Sequence, residues 1–82
     1  MEKIKIGRVT HFFSKIGVAV VELDKKLSVG DKISLEGGNR VVEQTVDSIQ
    51  MDKKNVENAG AGKAIGLKVD QRIKPNYVVY KM

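Results

Sequence analysis

The residues with most chemistry to offer stand together near the start of the chain: Arg8, His11, Phe12, Phe13 and Lys15. A catalytic imidazole needs a nucleophile or carboxylate beside it, and a metal-binding one needs further ligands. The chain has no cysteine and no second histidine, so His11 is expected to be structural or exposed rather than catalytic. Phe12 and Phe13 are adjacent, and on a strand neighbouring side chains point to opposite faces, so at most one of the two enters a core. The other would stand exposed between Arg8 and Lys15. Aromatic rings flanked by cations stack on unpaired bases at roughly 1–3 kcal/mol per base. This cluster is therefore the first candidate for a nucleic-acid contact, the alternative being a ring that merely caps the end of the fold.

A second set of cations, Lys53, Lys54, Lys63, Arg72 and Lys74, falls in predicted loops. If several met at one end of the fold they would form a phosphate-contacting patch; the alternative is a dispersed basic surface. The carboxylates Asp47, Asp52, Glu57 and Asp70 each sit beside a base or a turn and form no pair for general acid–base work. Gly60-Ala61-Gly62-Lys63 superficially suggests a phosphate loop. It lacks the following Ser or Thr and the helix whose N-terminus would hold the phosphate, and it reads as a turn. No catalytic constellation, cofactor site or metal site emerges, and the chain is expected to be noncatalytic.

The formal net charge is +5, with eight bases against five acids in residues 1–41 and seven against five in residues 42–82. The excess is spread rather than gathered into a tail. It predisposes the surface toward anionic partners without naming one. The 82 residues are expected to form one domain, 1–82. A chain of this size buries only about 60–65% of its unfolded surface, so its packing must be economical. No apolar run approaches the ~20 residues of a membrane span, and the charged, alternating start Met1-Glu2-Lys3-Ile4-Lys5 lacks the apolar core of a signal peptide. A cytoplasmic protein without membrane contact is expected.

The elements that must position these residues are strands, because the dominant hydrophobic period is two. Six are predicted. The first runs from Lys3 to about Phe13, with Ile4 and Ile6 on one face and a bulge near Gly7-Arg8 to bring Val9 into phase with them. The second, Ile16 to Leu23, is apolar on both faces over Val18-Ala19-Val20-Val21, which calls for a covering loop or a protein partner. The third is Lys32–Glu36, with Ile33 and Leu35 inward, followed by a hairpin turn at Gly37-Gly38-Asn39. A long fourth strand from Arg40 to about Met51 would bend at a bulge around Asp47-Ser48, and Val56 and Ala59 would anchor the loop that follows. The fifth faces Ile65, Leu67 and Val69 inward, and Tyr77–Lys81 is the sixth. Closure into a barrel would remove the two unpaired edges of an open sheet.

The ordered set Gly7-Arg8-Val9-Thr10, Leu27-Ser28-Val29-Gly30-Asp31-Lys32-Ile33-Ser34-Leu35, Val46-Asp47-Ser48-Ile49-Gln50, Val56-Glu57-Asn58-Ala59-Gly60-Ala61-Gly62 and Ile65-Gly66-Leu67 resembles domain 2 of the translation GTPases, the elongation factor Tu class. A similar barrel stands at the C-terminus of U32-type peptidases, where it is an accessory domain. The resemblance implies a six-stranded closed Greek-key β-barrel of the translation-factor domain 2 type. With the +5 charge, it implies a noncatalytic module that binds tRNA or rRNA or associates with the translation machinery. The alternative, motivated by the doubly apolar run Val18-Ala19-Val20-Val21, is a protein-interaction module docking on a separately encoded enzyme such as a U32-type peptidase-like protein. Within the barrel, Gly30 would allow a left-handed turn and the Asp31 carboxylate would cap it; Gly62 and Gly66 would allow close approach of strands. Two departures mark the chain: His11-Phe12-Phe13-Ser14-Lys15 stands where the family carries a loop glycine, and Lys74-Pro75-Asn76 where Gly-Asp precedes the last strand. No P-loop accompanies the barrel, so it is expected to bind no GTP of its own.

Overall fold

A computed structural model describes residues 3–82. Ten strands follow in order: β1 (Ile4–Phe13), β2 (Val18–Leu23), β3 (Leu27–Ser28), β4 (Lys32–Gly37), β5 (Arg40–Thr45), β6 (Ile49–Met51), β7 (Lys54–Val56), β8 (Asn58–Ala59), β9 (Ala64–Lys68) and β10 (Val78–Lys81). The all-β expectation holds. Every pairing is antiparallel. Eight strands form one sheet in the order β5-β4-β10-β1-β2-β9-β6-β7, and β3 with β8 makes a separate two-stranded ribbon.

The six-stranded closed Greek-key barrel needs correction. The ladder ends at β5 on one side and β7 on the other, and these two strands do not pair. The reason lies in the stretch expected to be one bent strand, Arg40 to Met51. Val46 is buried and takes its backbone bonds outside the sheet, accepting from Gly30 N at 2.9 Å and donating to Asp31 O at 2.9 Å. The chain therefore leaves β5 and re-enters the sheet as β6, on the far side of β9. The sheet still wraps a single core. Val42 from β5 and Ile49 from β6 belong to the same buried cluster, together with Ile33, Leu35, Ile65, Leu67 and Val79. The ribbon helps tie the two sides, since Val29 N donates to Glu57 O at 2.8 Å.

Local readings fare better. Gly30 has φ +96°, and the Asp31 carboxylate accepts from Ser28 N at 2.9 Å, so the turn is capped as expected. Gly37 and Arg40 pair across a two-residue hairpin in which Gly38 takes φ +56°, the positive φ that such loops require. The bulge expected near Gly7-Arg8 is displaced: those two residues pair regularly on both sides, and the register shifts fall between Lys5 and Gly7 against β10 and between Val9 and His11 against β2, which leaves Ile4 exposed while Ile6 is buried. Gly7 lies against the next strand so closely that a Cβ would stand 2.6 Å from Glu22 O. Gly62 serves its turn through φ +82° and has nothing close to it, so the close-approach role expected there falls to Gly66 alone.

Candidate functional site

β1 and β2 place the aromatic cluster. Their register sets His11 opposite Val20, Phe12 opposite Ala19 and Phe13 opposite Val18. Ala19 is buried and Phe12 packs against the core, so that row faces inward. His11 and Phe13, two residues apart, share the outer face, where their ring centroids lie 4.5 Å apart at 55°. One phenylalanine joins the core and the other does not, as the alternation predicts. Phe13 is 46% exposed and Ile16, at the tip of the turn, 65%. Ile16 was expected in the second strand. It lies instead in the four-residue turn Ser14–Gly17, because Gly17 takes φ +66° and both Ile16 N and Gly17 N donate to Phe13 O.

The ten residues singled out by sequence fall into separate groups. Phe12, Phe13 and Lys15 line one hollow of about 290 Å³ with Ser14 and Ile16. Arg8 faces Glu22 across the β1–β2 ladder and lines a different hollow with Lys5, Glu22 and Asp24, so its charge sits in a mixed patch. Arg72 and Lys74 follow β9, whereas Lys63 precedes it. Lys53 and Lys54 lie at the turn leaving β6. Since β6 runs antiparallel to β9, with Ile49 opposite Leu67 and Gln50 opposite Gly66, that turn points toward the Ala64 end, where Lys63 stands. The cations thus divide between the two ends of β9 rather than meeting on one surface.

Two features were not singled out by the sequence. Arg40 donates from its guanidinium to Arg72 O at 2.7 Å and to Gln71 Oε1 at 3.0 Å, standing beside a cleft of about 450 Å³ that Gly37–Arg40 and Lys74–Tyr77 line. Its partners come from a distant loop, so no local signal marked it. The other is the hollow of about 280 Å³ on the outer face, lined by Ile16, Val18, Ser48, Gln50, Gly66 and Lys68. The doubly apolar run of β2 was its only trace in the sequence. Among the described residues no group of three or more His, Cys, Asp or Glu side chains could hold a metal ion, and no helix is long and apolar enough to cross a membrane.

The described ion pairs are structural. Lys3 Nζ meets Glu36 Oε2 at 2.6 Å, and the Ser34 hydroxyl donates to the same oxygen at 2.9 Å. The hydrogen bond from Lys3, then that from Ser34, holds the Glu36 carboxyl below the usual carboxylate range; the same contact raises Lys3. Lys81 Nζ lies 3.4 Å from Asp31 Oδ2.

No protein-family model matches the chain. The chain is 39% identical over 79 residues to an uncharacterized protease of Methanocaldococcus jannaschii, covering 95% of this chain and 19% of that one. It is 32% identical over 82 residues to a collagenase of Porphyromonas gingivalis strain W83, covering 98% of this chain and 20% of that one. The chain thus spans about a fifth of the length of the curated relatives it matches. Among solved structures, its fold is that of the C-terminal domain of a Geobacillus thermoleovorans protein described as a U32 peptidase. The TM-score is 0.89 at 18% identity, over 96% of this chain and 92% of that one. These likenesses support the peptidase-associated half of the resemblance and lend nothing to the translation-factor half.

Proposed function

We propose that this chain is a noncatalytic accessory β domain of a U32-peptidase-like protein, acting by contact with the remaining, protease-like part of such an assembly. The observation that supports it best is one of extent. Nearly the whole chain corresponds to about a fifth of each protease it resembles, and to a C-terminal domain that forms a separate structure. The chemistry agrees: His11 lies tilted against Phe13, and the hollow that Phe13 lines holds no carboxylate. The split of the cations between two ends favours protein contact over a single nucleic-acid track.

The test mixes this chain with the Methanocaldococcus jannaschii relative from which the matching segment has been deleted, and measures mass by light scattering. A one-to-one complex, with no peptide hydrolysis by this chain alone, is the expected result. Hydrolysis by the isolated chain, or retention of structured RNA in place of the protein, would overturn the reading.

A further inference from the structure

On the outer face of the sheet, β1, β2, β9 and β6 are consecutive neighbours. Their registers line up two rows. Phe13, Val18 and Lys68 form one; His11, Val20, Gly66 and Gln50 form the other. Ile16 stands at the end of these rows and is shared by both hollows, the one at the turn and the one over Gly66. The second hollow exists because position 66 has no side chain: a Cβ there would stand 3.2 Å from Val18 Cγ1 and 3.7 Å from Gln50 Cβ. Exposed apolar residues are ordinary when scattered. Here Phe13 and Ile16 are contiguous with half-buried Val18 and Val20, and contiguous apolar surface marks an interaction site.

The charge around this surface says what covers it. The two hollows are lined by Lys15 and Lys68, with His11 alongside, and by no carboxylate. A cationic rim around an apolar centre complements an apolar side chain flanked by acids, and mispairs with a basic or a second like-charged surface.

We propose that the outer face centred on Phe13, Ile16, Val18 and Gly66 is the docking surface for a polypeptide of the protease-like partner. An apolar side chain of that partner enters the Gly66 hollow, and its neighbouring carboxylates pair with Lys15 and Lys68. The inference rests on the accessory-domain reading and specifies its contact surface.

The test is a chimera of the Methanocaldococcus jannaschii relative in which this chain replaces the matching segment, compared with the isolated chain by hydroxyl-radical footprinting. Phe13, His11 and Ile16 are expected to lose reactivity several-fold in the chimera, while Val41 and Ile4 keep theirs. Protection at Val41 or along Gly37–Arg40 with Phe13 and Ile16 still reactive would overturn this surface and leave the accessory reading standing. No protection anywhere would overturn both. A second measurement needs only the isolated chain: amide spectra titrated with a Leu-centred peptide flanked by Asp and Glu, and with its Lys-flanked counterpart. Shifts at Val18, Gly66 and Lys68 with the acidic peptide alone are expected, and Ile16→Ser should weaken them about tenfold. Equal shifts with both peptides, or none with either, contradict the proposal.

Discussion

Two turns of this molecule use their residues in opposite ways. In the turn between β3 and β4 most polar groups are consumed within the fold. Val29 N, Gly30 N, Asp31 N and Asp31 O all have backbone partners, and the Asp31 carboxylate takes both Ser28 N and the Lys81 ammonium. In the turn between β1 and β2 the backbone is closed by Phe13 O and by Val69 N donating to Gly17 O, yet Phe13 and Ile16 are left facing out. The first turn makes the chain recognisable and, apart from the exposed Val29 side chain, has its groups engaged within the fold. The second is where contact surface remains. The fold-defining contacts and the proposed contact surface lie in different turns, since hydrogen bonds already made within the protein cannot also serve recognition.

The largest effects are expected where the scaffold tolerates no atom. Gly7→Ala puts a Cβ against the immovable Glu22 carbonyl and should cost about 1–3 kcal/mol. Thermal unfolding should show Tm falling by at least about 5 °C; an unchanged Tm would mean that β1 and β2 are not so closely set. Asp31→Ala removes the carboxylate that serves Ser28 N and Lys81, at about 1–2 kcal/mol in urea unfolding. The corresponding changes in the other turn, Phe13→Ser and Ile16→Ser, should shift stability by only about 0.5 kcal/mol while weakening the partner contact. Comparable losses of stability in both turns would erase the contrast.

A third turn sharpens it from the other side. Asp52 and Lys53 both have positive φ, at 53° and 65°, in a two-residue hairpin with Met51 opposite Lys54. Such a turn prefers Asn-Gly. Lys53→Gly relieves left-handed strain of about 1–2 kcal/mol against a glycine entropy cost of about 0.5–1 kcal/mol, so a modest rise in Tm is expected; a fall would show that Lys53 makes a contact worth keeping.

The smallest effect is electrostatic. Glu36 is lowered chiefly by its hydrogen bond from Lys3 and next by that from Ser34. A folded-state pKa below the unfolded one contributes stability above the unfolded carboxylate value, and that contribution is lost as pH falls through the folded value. Glu36→Gln should therefore lower Tm slightly near neutrality, the pair being exposed and screened, and converge with the parent at low pH, so that the acid limb of a Tm-against-pH curve is flatter. A steeper acid limb in the variant would contradict the assignment.

How much was legible in the sequence follows the range of the interactions involved. The Gly30-Asp31 turn could be read because its cap closes over three residues, from Ser28 to Asp31. The inward row Ile65, Leu67 and Val69 could be read because a strand's period is local. The break at Val46 could not, since its partners Gly30 and Asp31 lie far back in the chain. That one unseen break is what turned an expected closed barrel into an open ladder. At the candidate site, the outward ring beside His11 was legible from adjacency alone. The Gly66 hollow was not, because Gln50 reaches it only through the β6–β9 pairing. The dispersal of the cations likewise depends on which strand follows which around the sheet.

The most direct measurement is calorimetric titration of this chain into the Methanocaldococcus jannaschii relative lacking its matching segment, repeated at several temperatures and salt concentrations. The account predicts one-to-one saturation with a negative heat-capacity change, as apolar burial requires, and a shallow dependence on salt. Absence of saturation with the protein, together with binding to structured RNA whose affinity falls steeply with salt, would contradict it.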